Sequence, residues 1–186
     1  MSGIKIINKI RIMKKFGTID ASLSERYKII DVTSNTHHPF IKFSPFYPDD
    51  GPIPVPFWPG KFSKTVEGVW QGLKVFKDDG VDESKFKISN MKNLKRKGIP
   101  LGHFRNDTQS LLNLYLARKL IYLPSYRYKL EHYLSEEIKM LKDIVFNTPV
   151  ILLDFSVNAS LTNHKEPLSH AQLIKHYLEN EWESLR

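Results

Sequence analysis

Apolar and polar positions alternate in several registers along this chain, and each register predicts a different element. Residues 4 to 16 interleave isoleucine with lysine and arginine, which predicts a basic amphipathic helix closed by Gly17. Tyr27 to Thr33 (YKIIDVT) reads as a strand that ends at the turn formers Ser34 and Asn35. From Ser63 to Phe76 the apolar positions Val66, Val69, Trp70, Leu73 and Phe76 share one helical face, and Asp78-Asp79-Gly80 ends the run. A shorter helix is expected over Asn90 to Lys97, stopped by Gly98. Asn106-Asp107 is placed to cap an apolar helix running through Leu111, Leu112, Leu114, Tyr115, Leu116 and Leu120. Pro124 opens another over Ser125 to Leu134, and Ser135-Glu136-Glu137 begins a third. Pro149 precedes Val150-Ile151-Leu152-Leu153-Asp154-Phe155, a buried-strand pattern, and Ser169 caps a last helix that ends near Ser184. The expected class is α+β: a mostly helical single domain with a few short strands.

Between Pro39 and Gly60 the pattern breaks. Seven prolines and many aromatic residues occupy this stretch, PFIKFSPFYPDDGPIPVPFWPG. Proline fixes φ and removes a donor, so regular helix is excluded and a long ordered loop with short extended pieces is expected, turning at Asp50-Gly51. The chain thus divides into a basic helix and strand over 1–38, a Pro/aromatic loop over 39–62, and a helical core over 63–186 with its buried strand near 150–155. A length of 186 residues suits one domain with a core of its own.

Composition removes several chemistries. There is no cysteine, which excludes disulfides, thiolate metal sites and thiol catalysis, and fits a reducing cytoplasm. No apolar run is long enough to span a bilayer, and Met1 to Ile6 lacks a secretory apolar stretch. No HExxH, GxSxG or glycine-rich phosphate loop occurs. His37-His38 point apart if extended, and His170 and His176 do not share a helix face, so no metal is expected. The net charge of +8 favours anionic partners such as nucleic acid or a phosphorylated nucleotide. The positive charge is uneven: Ser84 to Asn106 contains no acid, while Lys85, Lys87, Lys92, Lys95, Arg96, Lys97 and Arg105 accumulate there. Such a run suits a polyanion backbone and equally suits a solvated basic face.

On the helix expected over Ser63 to Phe76, Glu67, Gln71 and Lys74 fall on one face, and Ser63 extends that stripe by a turn. An acid, an amide and an amine beside an apolar seam form either the wall of a site or a solvated helix face.

Phe43-Ser44-Pro45-Phe46-Tyr47-Pro48, followed by Val66-Glu67 with Gln71 and Lys74, resembles the NADAR (YbiA-like) family, which carries an FSNFYP-type segment and then a SVEHxxQxxK helix. The resemblance covers roughly Phe40 to Tyr177. The SPFYP, IPVP and VEGVWQGLKVF segments are most similar to the DUF6939 group of phage and bacterial proteins. Pro45 stands where NADAR members usually have Asn, and Gly68 where they usually have His.

That resemblance implies a YbiA-like fold and N-glycosidic chemistry on an ADP-ribosylated base or a related ribosyl nucleotide, with no cofactor. Breaking a ribosyl C–N bond develops positive charge on the sugar and negative charge on the base, so a carboxylate and a proton donor suffice. Glu67 is the implied carboxylate and Gln71 orients substrate or water. Lys74 holds a phosphate, plays a structural role or, like Lys42, forms a Schiff base with ring-opened ribose. Asp154 and Asn158 are the nearest matches to the family's late acid. Phe43, Phe46, Tyr47, Phe57 and Trp58 offer faces to a nucleobase. Ser44 and Trp70 border the same implied pocket, and Lys95 and Arg96 are its implied phosphate binders. The implied partner is an ADP-ribose-like nucleotide or ADP-ribosylated nucleic acid, with no membrane partner. The departures at Gly68 and Asn158 leave a non-catalytic nucleotide or nucleic-acid binder as the alternative.

Overall fold

In a computed structural model describing residues 3–16, 21–49 and 51–185, both helices and strands form, so the class is α+β. In chain order the elements are β1 (Ile4–Asn8), α1 (Lys9–Phe16), α2 (Ala21–Arg26), β2 (Lys28–Asp31), β3 (Ile53–Pro54), β4 (Phe62–Ser63), α3 (Val66–Gly72), β5 (Lys74–Val75), β6 (Gly102–Arg105), β7 (Ser110–Leu112), α4 (Leu114–Ala117), α5 (Leu123–Tyr133), α6 (Ser135–Asn147), β8 (Val150–Asp154) and α7 (His170–Leu178). They cluster into two compact units, Met1–Ser44 with Ser135–Arg186, and Pro45–Leu134. The expected helix stop at Gly17 and turn residue Asp50 lie outside the described residues.

The first unit is built on a three-stranded parallel sheet in the order β1-β8-β2. All five residues of β8 are buried, as a central parallel strand requires. Ile151 and Leu153 pack with Ile12 of α1, and Ile7, Leu23, Tyr27 and Ile29 close over them. The expected single helix over residues 4 to 16 is corrected here: Ile4 to Asn8 is a strand in register with β8, Ile4 opposite Val150 and Ile6 opposite Leu152. Asn8 ends the strand and opens the helix, because its side-chain oxygen accepts the Arg11 backbone N–H at 3.0 Å. Helix α6 starts at Ser135 with Glu136 and Glu137 at its positive end, and α7 is capped by Ser169, both as the sequence indicates.

The second unit contains the antiparallel pair β3-β4, an antiparallel sheet β5-β6-β7, and helices α3, α4 and α5. Three sequence expectations are corrected within it. The helix expected over Ser63 to Phe76 spans only Val66 to Gly72; Thr65 caps it, its hydroxyl accepting the Gly68 N–H at 2.8 Å. Lys74 and Val75 then leave the helix and pair with His103 and Gly102. No helix forms over Asn90 to Lys97. Asn90 accepts the Lys92 N–H with its side chain, and Asn93 takes a left-handed φ of 59°, local bonds that compete with a helix in a run of like charges.

Asn106-Asp107 belongs to the β6-β7 hairpin instead of a helix cap. The cap is Asn113, whose side chain accepts the Leu116 N–H at 2.9 Å. From Leu114 to Tyr133 the chain stays helical, with a π turn at Arg118–Tyr122 between α4 and α5. Pro124 explains that turn. Its ring would meet the carbonyl four residues earlier in a regular helix, and the widened turn removes the conflict.

Candidate active site

Helix α3 supplies the core of the site. Gln71 lies four residues after Glu67, one turn along the same face, and its Nε2 donates to Glu67 Oε1 at 2.5 Å. The Gln71 oxygen accepts twice, from Lys74 Nζ at 3.0 Å and from the Arg96 backbone N–H at 3.1 Å. The amide is therefore held in one orientation, with its NH₂ on the acid and its oxygen on the amine. Glu67 is only 6% exposed and Gln71 4%. Burial pushes the Glu67 carboxyl above its ordinary range, against the opposing pull of the Gln71 bond and of the Lys74 and Lys95 charges. Burial pushes the Lys74 amine below its ordinary range; the Arg96 and Lys95 charges add to this, while Glu67 opposes it. Acid and amine are both displaced toward their neutral forms, the pattern that suits acid–base or nucleophilic work near neutral pH. Ser63 does not extend this stripe. It lies in β4, and its hydroxyl donates to the Thr65 carbonyl at 2.9 Å.

A neighbour that the sequence reading did not select is His103. It sits on β6 directly opposite Lys74, is 1% exposed, and its ring lies 3.8 Å from the Trp70 ring. Trp70 also meets the edge of Tyr122, from the π turn, at 5.4 Å. Burial, reinforced by the Lys74 charge, lowers His103 to about 3, so the imidazole is neutral under physiological conditions. The available sequence signal was the His in Gly102-His103-Phe104, which becomes informative only once β6 is known to pair with Lys74.

Arg96 and Lys95 part company. Arg96 is anchored: Nη1 donates to the Lys74 carbonyl at 2.6 Å, Nη2 pairs with Asp79, and the guanidinium lies 4.6 Å from the Phe76 ring centre. Lys95 is exposed, with its amine 5.5 Å from the Phe46 ring centre. Tyr47 accepts from Lys129 through its carbonyl at 3.2 Å. Lys129 itself is fully buried on α5 and pairs with Asp49 at 2.6 Å. Sequence reasoning did not select Lys129, because its partners lie in the distant Pro/aromatic loop. Phe57 adopts a φ of 62° beneath the Arg105 guanidinium, and Trp58 meets Phe86 and Phe104 edge-on. Gly68 has no room for a side chain: a Cβ there would run into Ser63 Oγ and fall 2.8 Å from the Lys85 carbonyl.

The other sequence-predicted residues belong to the first unit. Lys42 pairs with Glu137 at 2.7 Å, Phe43 is fully buried against Phe40, and the Ser44 hydroxyl meets that of Ser34 at 2.8 Å. Asp154, at the end of β8, accepts from Ser169 Oγ at 2.7 Å and from the Ala171 N–H at 3.2 Å, and so holds the start of α7. His170 Nδ1 lies 3.2 Å from the same carboxylate. Asn158 braces its loop, donating to the Ser160 and Glu166 carbonyls and accepting the Ser160 N–H. An open groove of about 650 Å³ along α6, lined by Lys28, Met140, Asp143 and Ile144 among others, gathers none of the predicted site residues. Among the described residues no group of three or more His, Asp or Glu side chains is placed to hold a metal ion, and no helix is long and apolar enough to cross a membrane.

Residues 12–174 match DUF6939, a family of unknown function. The chain belongs to the DUF6939 family. The match runs from α1 into α7, so it takes in the whole of the second unit of this DUF6939 protein and most of the first, without β1. No curated protein and no solved structure matches the chain.

Proposed function

We propose that this DUF6939 protein is a NADAR-like N-glycosidase that acts on an ADP-ribosylated base or a related ribosyl nucleotide. The observation that carries the reading is the Glu67–Gln71–Lys74 chain: an acid and an amine bridged by one oriented amide, each displaced toward its neutral form. In that form the pair matches the two demands of ribosyl C–N cleavage. The Lys74 lone pair forms a bond to the sugar C1′ as the bond to the base breaks, and that bond's electron pair leaves on the base nitrogen. The neutral Glu67 carboxyl gives its proton to the departing base, and the resulting carboxylate takes the surplus proton from the new Lys74–C1′ amine. Water then adds at C1′ through the ring-opened imine, returning the free amine and releasing the sugar as its hydroxyl form. Lys95, exposed beside Phe46, is the cation suited to a substrate phosphate.

The test is release of free base from an ADP-ribosylated nucleoside and from ADP-ribosylated DNA, with borohydride trapping of the sugar on the protein. Base release by the parent, lost in Lys74→Arg, with trapped mass mapped to Lys74, supports the reading. The steric closure at Gly68 favours a second reading, a binder that holds the nucleotide without cleaving it. Retention of ADP-ribose without base release from either substrate would overturn the enzyme in favour of the binder.

A further inference from the structure

His103 is an odd residue to bury. Its two ring nitrogens are the only side-chain atoms of a polar residue in β6 and β7 found buried without a hydrogen-bond partner among the described residues. A buried polar atom without a partner is destabilising, and an apolar side chain of similar volume would stack on Trp70 without that cost. Packing alone therefore does not account for an imidazole here. Its position does. Directly opposed residues on antiparallel strands project to the same face with their Cβ atoms about 4.5–5.5 Å apart, and the residue opposite His103 is Lys74. Lys74 is long enough to reach across that gap, and its amine already lies 6.0 Å from the centre of the Trp70 ring on which His103 is stacked.

We propose that His103 is the positioning residue for Lys74: the amine, resting on Gln71, turns to an imidazole nitrogen when it acts, donates one N–H there, and directs its lone pair toward the sugar. The inference rests on the reading of Lys74 as the acting amine. The groups that face Lys74 divide this work. Gln71 from α3 holds the resting amine, Glu67 from α3 exchanges its proton, and Lys95 and Arg96 from the basic loop disfavour its charge. His103 from β6 is the acceptor that remains. It stays an acceptor because its burial keeps it unprotonated. In a glutamate or aspartate at that position the acceptor would carry a charge and hold Lys74 as an ammonium; a neutral imidazole accepts without doing so.

The test reads Lys74 directly, without the natural substrate. Limiting formaldehyde with cyanoborohydride converts a neutral lysine amine to an imine, with loss of water, and hydride then reduces it to the N-methyl amine. Peptide mass spectrometry follows this at Lys74 against exposed Lys87 as the internal standard, from pH 6 to pH 10. Relative to the parent, His103→Leu is expected to lower the Lys74 rate at least tenfold while leaving Lys87 unchanged and the thermal midpoint equal or higher. His103→Gln restores an uncharged acceptor and is expected to recover most of the rate. Should His103→Leu fail to fold, His103→Met carries the same expectation. Labelling of the apolar variant at the parental rate across the pH range would overturn the proposal. So would loss in Leu and Gln alike together with a lowered midpoint, which is a structural role, and so would a parent in which Lys74 is inert. A His103-dependent Lys74 in a protein that releases no base leaves this inference standing and removes the glycosidase. Base release with a Lys74 rate indifferent to His103 does the reverse.

Discussion

Lys129→Met should be among the most damaging single substitutions in the second unit. Both partners of the Lys129–Asp49 pair are withdrawn from solvent, at 0% and 2% side-chain exposure, with the amine 2.6 Å from the carboxylate and 3.2 Å from the Tyr47 carbonyl. Methionine fills the volume of the lysine stem, so the loss isolates the charge. What remains is a buried carboxylate that has lost the Lys129 amine and a carbonyl that has lost one donor. Removing one partner of a buried ion pair costs about 3–5 kcal/mol. For a chain of this length each kcal/mol moves the thermal midpoint by roughly 2–4 °C, giving a fall of about 6–20 °C. Urea unfolding followed by tryptophan fluorescence supplies the free energies for Lys129→Met, Asp49→Leu and the double variant. The double variant removes both charges and is expected to recover most of the loss, since apolar replacement of a whole buried pair is often neutral. A single variant within about 1 kcal/mol of the parent, below the range for a buried pair, would refute the reasoning. A double variant as unstable as the sum of the singles would refute it equally.

Glu67→Gln keeps the Gln71 bond and removes the titration. Because the folded carboxyl is raised, its stabilising contribution is full below the ordinary glutamate value of 4.5 and is lost as pH rises through the folded value. The variant should therefore match the parent in acid and melt no lower, or slightly higher, at neutral pH, while base release falls on the order of 10²–10⁴ with the loss of proton transfer; calorimetry across pH beside a turnover assay checks both. Gly68→Ala should cost about 1–3 kcal/mol by overpacking against Ser63, Thr65 and the Lys85 carbonyl, read as a lowered urea midpoint. Neutralising exposed Lys87, Lys92, Lys95 and Lys97 together should weaken DNA or RNA binding and flatten its salt dependence by about 0.7–0.9 for each phosphate no longer neutralised. An unchanged salt slope in fluorescence anisotropy would return the loop to a solvated basic face. Arg96 is left out of that set because its guanidinium is tied to Lys74 and Asp79.

Elements whose partners are close in sequence could be read from the residues. The Glu67–Gln71 bond follows from one helical turn, and the start of α6 at Ser135 and the cap at Ser169 from residue type; β8, though its partners are distant, shows in an apolar run too short for a helix. What failed was decided at a distance. Ile4, Ile6, Ile7, Ile10 and Ile12 satisfy a helical face and an edge strand alike, and only β8, late in the chain, selects the strand for the first part. Lys74 continues the α3 stripe by count, yet pairing with His103 draws it out of the helix. The two buried residues that sequence reasoning passed over, His103 beside the site and Lys129 in its ion pair, share this cause: each acquires its meaning from a partner on another element.

The first unit is interrupted by the second, and translation order follows from that. Strands β1 and β2 each pair with β8 and not with one another, and β8 is made only after the whole of Pro45–Leu134. At about 5–20 residues per second, the ribosome leaves β1 waiting for its partner on the order of ten seconds. During that interval the second unit is already fully synthesised, while two isoleucine-rich strands hold bare edges open to any other nascent chain. The lysines interleaved in both, Lys5 and Lys28, are the residues that discourage such pairing until Val150–Asp154 emerges and closes the sheet between them.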